Sequence, residues 1–165
     1  MNIYLQNLSV NDGKEVFEML KRIGSNENSF TNPVHDMDFA QFKEWLIEAE
    51  LHSQGKKLPS GWVQQSIYWL MNDKVPVGIG KIRHALTEKS RIQGGNIGYA
   101  IDPIYRNLGY GNILLAKLIE RAKMLHIKEF LLTVDKGNIP SKKIVEKNGG
   151  ILFKENAERW YFNFK

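Results

Sequence analysis

The chain has 165 residues, of which 42% are hydrophobic and 25% charged, and it carries a formal charge of +5. Those values suit about one globular domain with its own core and exclude a disordered, collagen-like or coiled-coil chain. The absence of cysteine excludes a disulfide framework, a thiol nucleophile and cysteine-based metal sites.

A single domain over 1–165 is expected. No stretch approaches the roughly 18–20 apolar residues of a membrane span, and Met1 to Asn7 has no basic region followed by an apolar run. Neither a membrane partner nor a signal peptide is expected, and a cytoplasmic location is. The positive excess could serve a phosphate-bearing ligand, but no run of five basic residues exists. A nucleic-acid partner is therefore not expected.

In chain order, residues 3–8 read as a strand. Ser9 and Asp12 have capping-box spacing ahead of Val16, Phe17, Leu20 and Ile23, and Gly24 ends that helix. Residues 25–36 read as a loop. A second helix begins at Asp36 or Asp38, with Phe39, Phe42, Trp45, Leu46 and Ala49 on one face as core or pocket wall. The run from His35 to Asp38 is read as helix-capping and not as a metal site. Residues 53–61 form a loop. Three strands follow, at 67–71, 75–86 and 92–101, joined by turns at 72–74 and 87–90, short enough to require an antiparallel meander. A helix over 109–125 presents Leu114, Leu115, Leu118, Ala122 and Leu125. A strand at 130–134, a helix over 139–147 and strands at 151–155 and 159–164 complete the order. The pattern predicts an α/β fold, one mixed sheet of six to seven strands flanked by about four helices, with the strand ending at Ile101 parallel to that at 130–134.

The most informative segment runs from Ile97 to Leu114. Pro103 stops a strand, and Arg106-Asn107-Leu108-Gly109-Tyr110-Gly111 leads straight into a helix. Two glycines there either ease a turn or bare the free N–H groups of a helix start, which with the helix dipole make an anion site. The spacing Arg-x-x-Gly-x-Gly matches neither the dinucleotide fingerprint nor a P-loop.

In this segment the sequence resembles the GNAT superfamily of N-acetyltransferases, whose signature is Arg/Gln-x-x-Gly-x-Gly/Ala after such a strand. Asn138, Ser141, Glu146, Lys147 and Gly149 stand in register with the family's Asn-x-x-Ala/Ser and its closing Glu-Lys-x-Gly. The closing Val145 to Gly150 looks like a small bacterial subgroup of predicted acetyltransferases, and the element order matches over nearly the whole chain. The resemblance implies a GNAT-like sheet with two splayed central strands and acetyl-CoA as co-substrate, without a metal. It implies that Tyr99, Ala100 and Ile101 pair with the pantetheine arm, that Arg106, Asn107, Leu108, Gly109, Tyr110 and Gly111 hold the pyrophosphate, and that Asn138 and Ser141 contact the arm. Asn138 is also a good N-cap ahead of Pro140.

The catalytic groups are thinner. The family often places an acidic Tyr where Val145 stands, and some members place a Glu base where Gly95 and Asn96 stand. Asn96 and Asp135 are the candidates for ordering a water that takes the amine's proton. For Asp135 the alternative is a turn residue, and for His84, a further possible base, a structural role in its strand. Should a tyrosine act as acid, Tyr99, Tyr105 and Tyr110 come first. The expected function is transfer of an acetyl group from acetyl-CoA to a primary amine of a small molecule or peptide, by direct attack in a ternary complex. A catalytically weak acyl-CoA-binding or sensing module is the alternative. The chain is expected to be a monomer or homodimer.

Overall fold

The computed structural model describes residues 1–164. Among them are seven strands and five helices: β1 (Ile3–Asn7), α1 (Lys14–Arg22), α2 (Phe39–Ser53), β2 (Gln65–Asn72), β3 (Val75–Arg83), α3 (Glu88–Ile92), β4 (Ile97–Ile101), α4 (Tyr110–Met124), β5 (Leu131–Asp135), α5 (Ile139–Lys147), β6 (Ile151–Glu155) and β7 (Arg159–Asn163). Short 3-10 turns interrupt the α1–α2 segment at 27–29 and 33–36.

The α/β architecture is the expected one, but the strands fall into two antiparallel sheets, β1-β2-β3-β4 and β5-β7-β6. No ladder joins β4 to β5. Their hydrogen-bonded contact is at Asn96, whose N–H donates to the Leu131 carbonyl at 2.7 Å. The return bond, from Leu131 N–H, goes to the Asn96 side-chain Oδ1 at 2.9 Å. The Asn96 carbonyl is already taken by Arg83 N–H at 2.7 Å. A side chain standing in for a strand carbonyl satisfies the first donor of β5 but cannot be repeated along a ladder.

Two cores pack on opposite faces. Val16, Met19 and Leu20 of α1 and Phe42 and Leu46 of α2 meet Trp69 and Ile79. On the other face Leu114, Leu115 and Leu118 of α4 meet Leu70, Ile82 and Ile97 from the first sheet and Leu132 and Phe162 from the second. One amphipathic helix thus spans the break. Each leucine it buries contributes roughly 1.5–3 kcal/mol, so the two sheets share a core without sharing a ladder. Phe39 and Trp45 are partly buried against the α1–α2 core, as their helical spacing requires.

Two local expectations change. Ser9 does not cap α1: the Asp12 carboxylate accepts from Ser9 N–H at 2.8 Å, as in a capping box, and from the Trp69 indole at 2.7 Å, but the helix starts later, with Gly13 at the cap. The turn expected at 87–90 is the start of α3. Thr87 Oγ1 accepts from Ser90 N–H at 3.1 Å, and Ser90 Oγ accepts from Thr87 N–H at 2.7 Å. That reciprocal cap satisfies the first-turn donors and delays the following strand to Ile97.

Candidate active site

The chain leaves β4 at Asp102, which is fully buried and bound to Arg22 at 2.7 Å. Asp102 also accepts from Ile104 N–H at 3.2 Å, so strand end and turn are anchored by one paired carboxylate. Asn107 and Gly109 are both left-handed, with φ of 63° and 88°. The second is the N-cap of α4, and a side chain there would be strained. Asp38, Thr87 and Asn138 cap α2, α3 and α5 with side-chain oxygens, but no side chain caps α4. Its first-turn amides, which no helix can satisfy internally, open into a cavity of about 430 Å³. An uncapped helix start on a cavity is the donor set a pyrophosphate needs, so the residues present fit a phosphate-bearing cofactor.

From α4 the cavity follows β4, an edge strand of its sheet, whose outward backbone groups have no strand partner. Tyr99, Ala100 and Ile101 line it, as do Arg106, Asn107, Gly109, Tyr110 and Gly111. Leu108 points away and is 64% exposed. Arg106 donates through Nε to the Ile101 carbonyl at 3.1 Å and pairs with Glu27.

The opposite wall is the end of β5 and the start of α5. Asn138 Oδ1 accepts from Ser141 N–H at 3.3 Å, so Asn138 both caps α5 and lines the cavity. The Ser141 and Tyr99 hydroxyls are 2.7 Å apart, bridging the two walls. Burial pushes the Tyr99 hydroxyl up to about 12, against the opposing effect of the Ser141 bond. Tyr110 accepts from Asn72 at 2.8 Å, and Tyr105 packs edge-on against Tyr110.

Asn96 is 1% exposed and does not line the cavity. Its carboxamide donates to the Arg83 carbonyl at 3.1 Å and accepts from Leu131, so it pins β3 to β5 and does not face a substrate water. Removing the carboxamide leaves the Leu131 N–H and the Arg83 carbonyl short of a partner, at about 1–3 kcal/mol for each buried group. Asn96→Ala is accordingly expected to lower the melting temperature first, as thermal unfolding checks. An unchanged melting point with reduced turnover would restore the water-ordering role.

Asp135 does line the cavity, with both oxygens engaged. Arg159 donates to Oδ1 at 2.5 Å and the Ser29 hydroxyl to Oδ2 at 2.9 Å, while Arg159 also reaches Ser29 at 2.9 Å. The network holds Asn28 and Ser29 at φ of 51° and 65°, a conformation uncommon outside glycine. His84 lies outside the cavity with Nε2 2.7 Å from the Ser66 hydroxyl. Burial lowers its pKa.

Lys81, Arg83, Ser29, Thr133 and Arg159 also line the cavity, and none was singled out by the sequence reading. Lys81 and Arg83 had a signal: two residues apart in a strand, they share a face. Ser29 and Arg159 had none.

A family model described as an acetyltransferase (GNAT) domain matches residues 2–151. The chain belongs to the GNAT acetyltransferase family. It is an acyl-CoA-dependent N-acetyltransferase with acetyl-CoA as co-substrate. No curated protein matches the acetyltransferase significantly in sequence. Solved structures resemble it in fold. The Campylobacter jejuni N-acetyltransferase PseH in complex with acetyl coenzyme A is 17% identical, with 99% of each chain covered and a TM-score of 0.60. A chimera of spermidine N-acetyltransferase SpeG from Vibrio cholerae and hSSAT is 13% identical over 99% of this chain and 95% of that one, at 0.67. The PaiA N-acetyltransferase from Thermoplasma acidophilum, with coenzyme A, is 16% identical over 100% and 99%, at 0.62. Among the described residues no helix of the acetyltransferase is long and apolar enough to cross a membrane, and no group of three or more His, Asp or Glu could hold a metal ion.

Proposed function

We propose that this acetyltransferase passes the acetyl group directly to a primary amine of a small molecule or peptide, both substrates being held at once in the cavity between β4 and β5. The observation that carries the reading is the continuity of that cavity. It runs from the uncapped start of α4, along the open edge of β4, to polar groups of β3 and of the segment between α1 and α2. Acetyl-CoA supplies the activated thioester. The chain's own groups bind and orient. The α4 amides and Arg106 hold the pyrophosphate, and the β4 edge and Asn138 hold the arm. The absence of cysteine removes the nucleophile an acyl-enzyme on sulfur would need. Asp135, committed to Arg159 and Ser29, positions the cavity wall.

Val145 is fully buried and has no proton to give. The Tyr99 hydroxyl takes that place from the opposite wall. With its pKa pushed up to about 12 it stays protonated throughout the working range and can donate to the departing sulfur. A thiol pKa of about 8.5 makes the thiolate a tolerable leaving group near neutral pH, so the donor's contribution is modest. Tyr99→Phe is expected to lower kcat by roughly tenfold, below the usual range for general acids, with KM for acetyl-CoA little changed. The acid must be protonated to act, so kcat/KM in the native chain rises toward the acceptor amine's own pKa with no descending limb below about pH 10. A limb at pH 8–9, or full activity in Tyr99→Phe, removes Tyr99 from the role.

The decisive experiment is thiol release from acetyl-CoA across polyamines, amino acids, aminoglycosides and peptide N-termini. Amine-dependent release supports the reading. Tight acetyl-CoA binding without release for any amine would favour a binding module instead.

A further inference from the structure

Six charged side chains line the cavity: Glu27, Lys81, Arg83, Arg106, Asp135 and Arg159. Both carboxylates are spoken for, Glu27 by Arg106 and Asp135 by Arg159. Lys81 and Arg83 remain, and among the described residues neither forms an ion pair. Lys81 donates to the Thr31 carbonyl at 2.6 Å and lies 4.6 Å from the centre of the Phe30 ring. Arg83 donates to the Gly95 carbonyl at 3.1 Å. Every one of these contacts is neutral. Burial drives the Lys81 ammonium down to about 7, with Arg83 adding to the shift, and burial also lowers Arg83. Two neighbouring basic groups thus share the cavity without a counter-charge, which leaves Lys81 only partly charged near neutral pH, and an anion placed between them restores that charge.

Their position says whose anion it is. In the β3–β4 ladder Gly78 faces Ile101 and Lys81 faces Gly98, while Arg83 N–H donates to Asn96. Lys81 and Arg83 therefore lie about 10 Å and 17 Å along β3 from the strand end that leads to α4, at ~3.4 Å per residue. With the pyrophosphate at α4, the part of acetyl-CoA that reaches this far is its pantetheine arm and thioester, which carry no charge. The counter-charge belongs to the second substrate.

We infer that the acceptor amine also carries an anionic group, a carboxylate or a phosphate, which Lys81 and Arg83 hold at the end of the cavity remote from α4. The inference rests on the reading of this cavity as shared by acetyl-CoA and acceptor. Arg grips either anion through paired N–H donors and Lys as a point charge. A polycationic acceptor such as spermidine meets two like charges there and is excluded.

The test is isothermal titration with coenzyme A present, using pairs that share an amine and differ in the anion. L-alanine against L-alaninamide probes the carboxylate, glucosamine 6-phosphate against glucosamine probes the phosphate, and spermidine stands as the cation. In at least one pair the anionic member is expected to bind about tenfold or more tighter, which corresponds to 1.4 kcal/mol. Lys81→Met and Arg83→Met are each expected to shrink that ratio to within about threefold, the signature of a lost charge contact. Melting curves check that both variants fold, and the pairs decide on the native chain if either does not. No preference in either pair, an undiminished ratio in both folded variants, or spermidine as the tightest ligand overturns the inference. So does a Lys81→Met variant that keeps the ratio but loses kcat and an ascending limb near pH 7, since Lys81 then acts on the amine's proton. Failure of acetyl transfer is read separately, as absent thiol release while the binding preference persists.

Discussion

Replacing Gly95 with alanine is expected to lower the melting temperature by about 6–12 °C, the shift for roughly 3 kcal/mol in a chain of this size. Gly95 has a φ of 60°, and a Cβ built there would stand 2.2 Å from the Leu131 carbonyl oxygen and 2.7 Å from its carbon. Both obstacles are backbone, so no rotamer change relieves them. The chain must open where Asn96 and Leu131 exchange hydrogen bonds, the contact that ties β4 to β5. Gly137→Ala is the control, because a Cβ there meets nothing within 4 Å, and it is expected to stay within about 0.5 kcal/mol of the native chain. A Gly95→Ala chain melting within about 2 °C of native, well under that expected shift, would mean the contact is looser than its geometry. The same crowding explains why no acidic base occupies position 95: a Glu there would carry the same clashing Cβ.

Gly111→Val is expected to weaken coenzyme A binding by about a hundredfold, close to 2.7 kcal/mol, while the chain still folds. Gly111 lies in the first turn of α4 on the cavity, where the proposed pyrophosphate would need the backbone to approach it closely. An added Cβ would sit 2.9 Å from Ile144 Cδ1, the mobile end of a side chain that can swing aside. Valine is also a better helix former than glycine, by a few tenths of a kcal/mol, so stability is expected to change little. Two causes of lost binding can be separated. If Gly111→Val combined with Ile144→Ala restores affinity, the single substitution acted by pushing α4 off α5. If affinity stays low, the side chain blocks the amides themselves. An affinity within about threefold of native, under 1 kcal/mol, would remove the α4 start as the phosphate site.

The helices were legible because their signals are short-range. Leu114, Leu115, Leu118 and Ala122 repeat at helical spacing and are all fully buried in α4. Asp38 and Asn138 cap the helices they precede. Arg106 to Gly111 could be read as a helix-opening turn because the left-handed Gly109 and the helix it starts are neighbours in sequence. The reciprocal cap of Thr87 and Ser90 was equally local, and there the reading of a turn missed a signal that was present.

Other features depend on partners far along the chain. The division of the sheet hangs on Asn96 and Gly95 meeting Leu131, some 35 residues away. The wall at Ser29 depends on Asp135 and Arg159, at separations of 106 and 130 residues. Tyr99 reaches Ser141 across 42 residues, a pairing no periodicity announces. Residue types and spacing along the chain therefore determined the order of elements, their buried faces and the glycine-opened start of α4, since backbone capping and amphipathic burial act over three or four residues. Tertiary structure alone decided which polar groups share the cavity, because Lys81 and Arg83 lack a counter-charge only once folding has given Asp135 to Arg159 and Glu27 to Arg106.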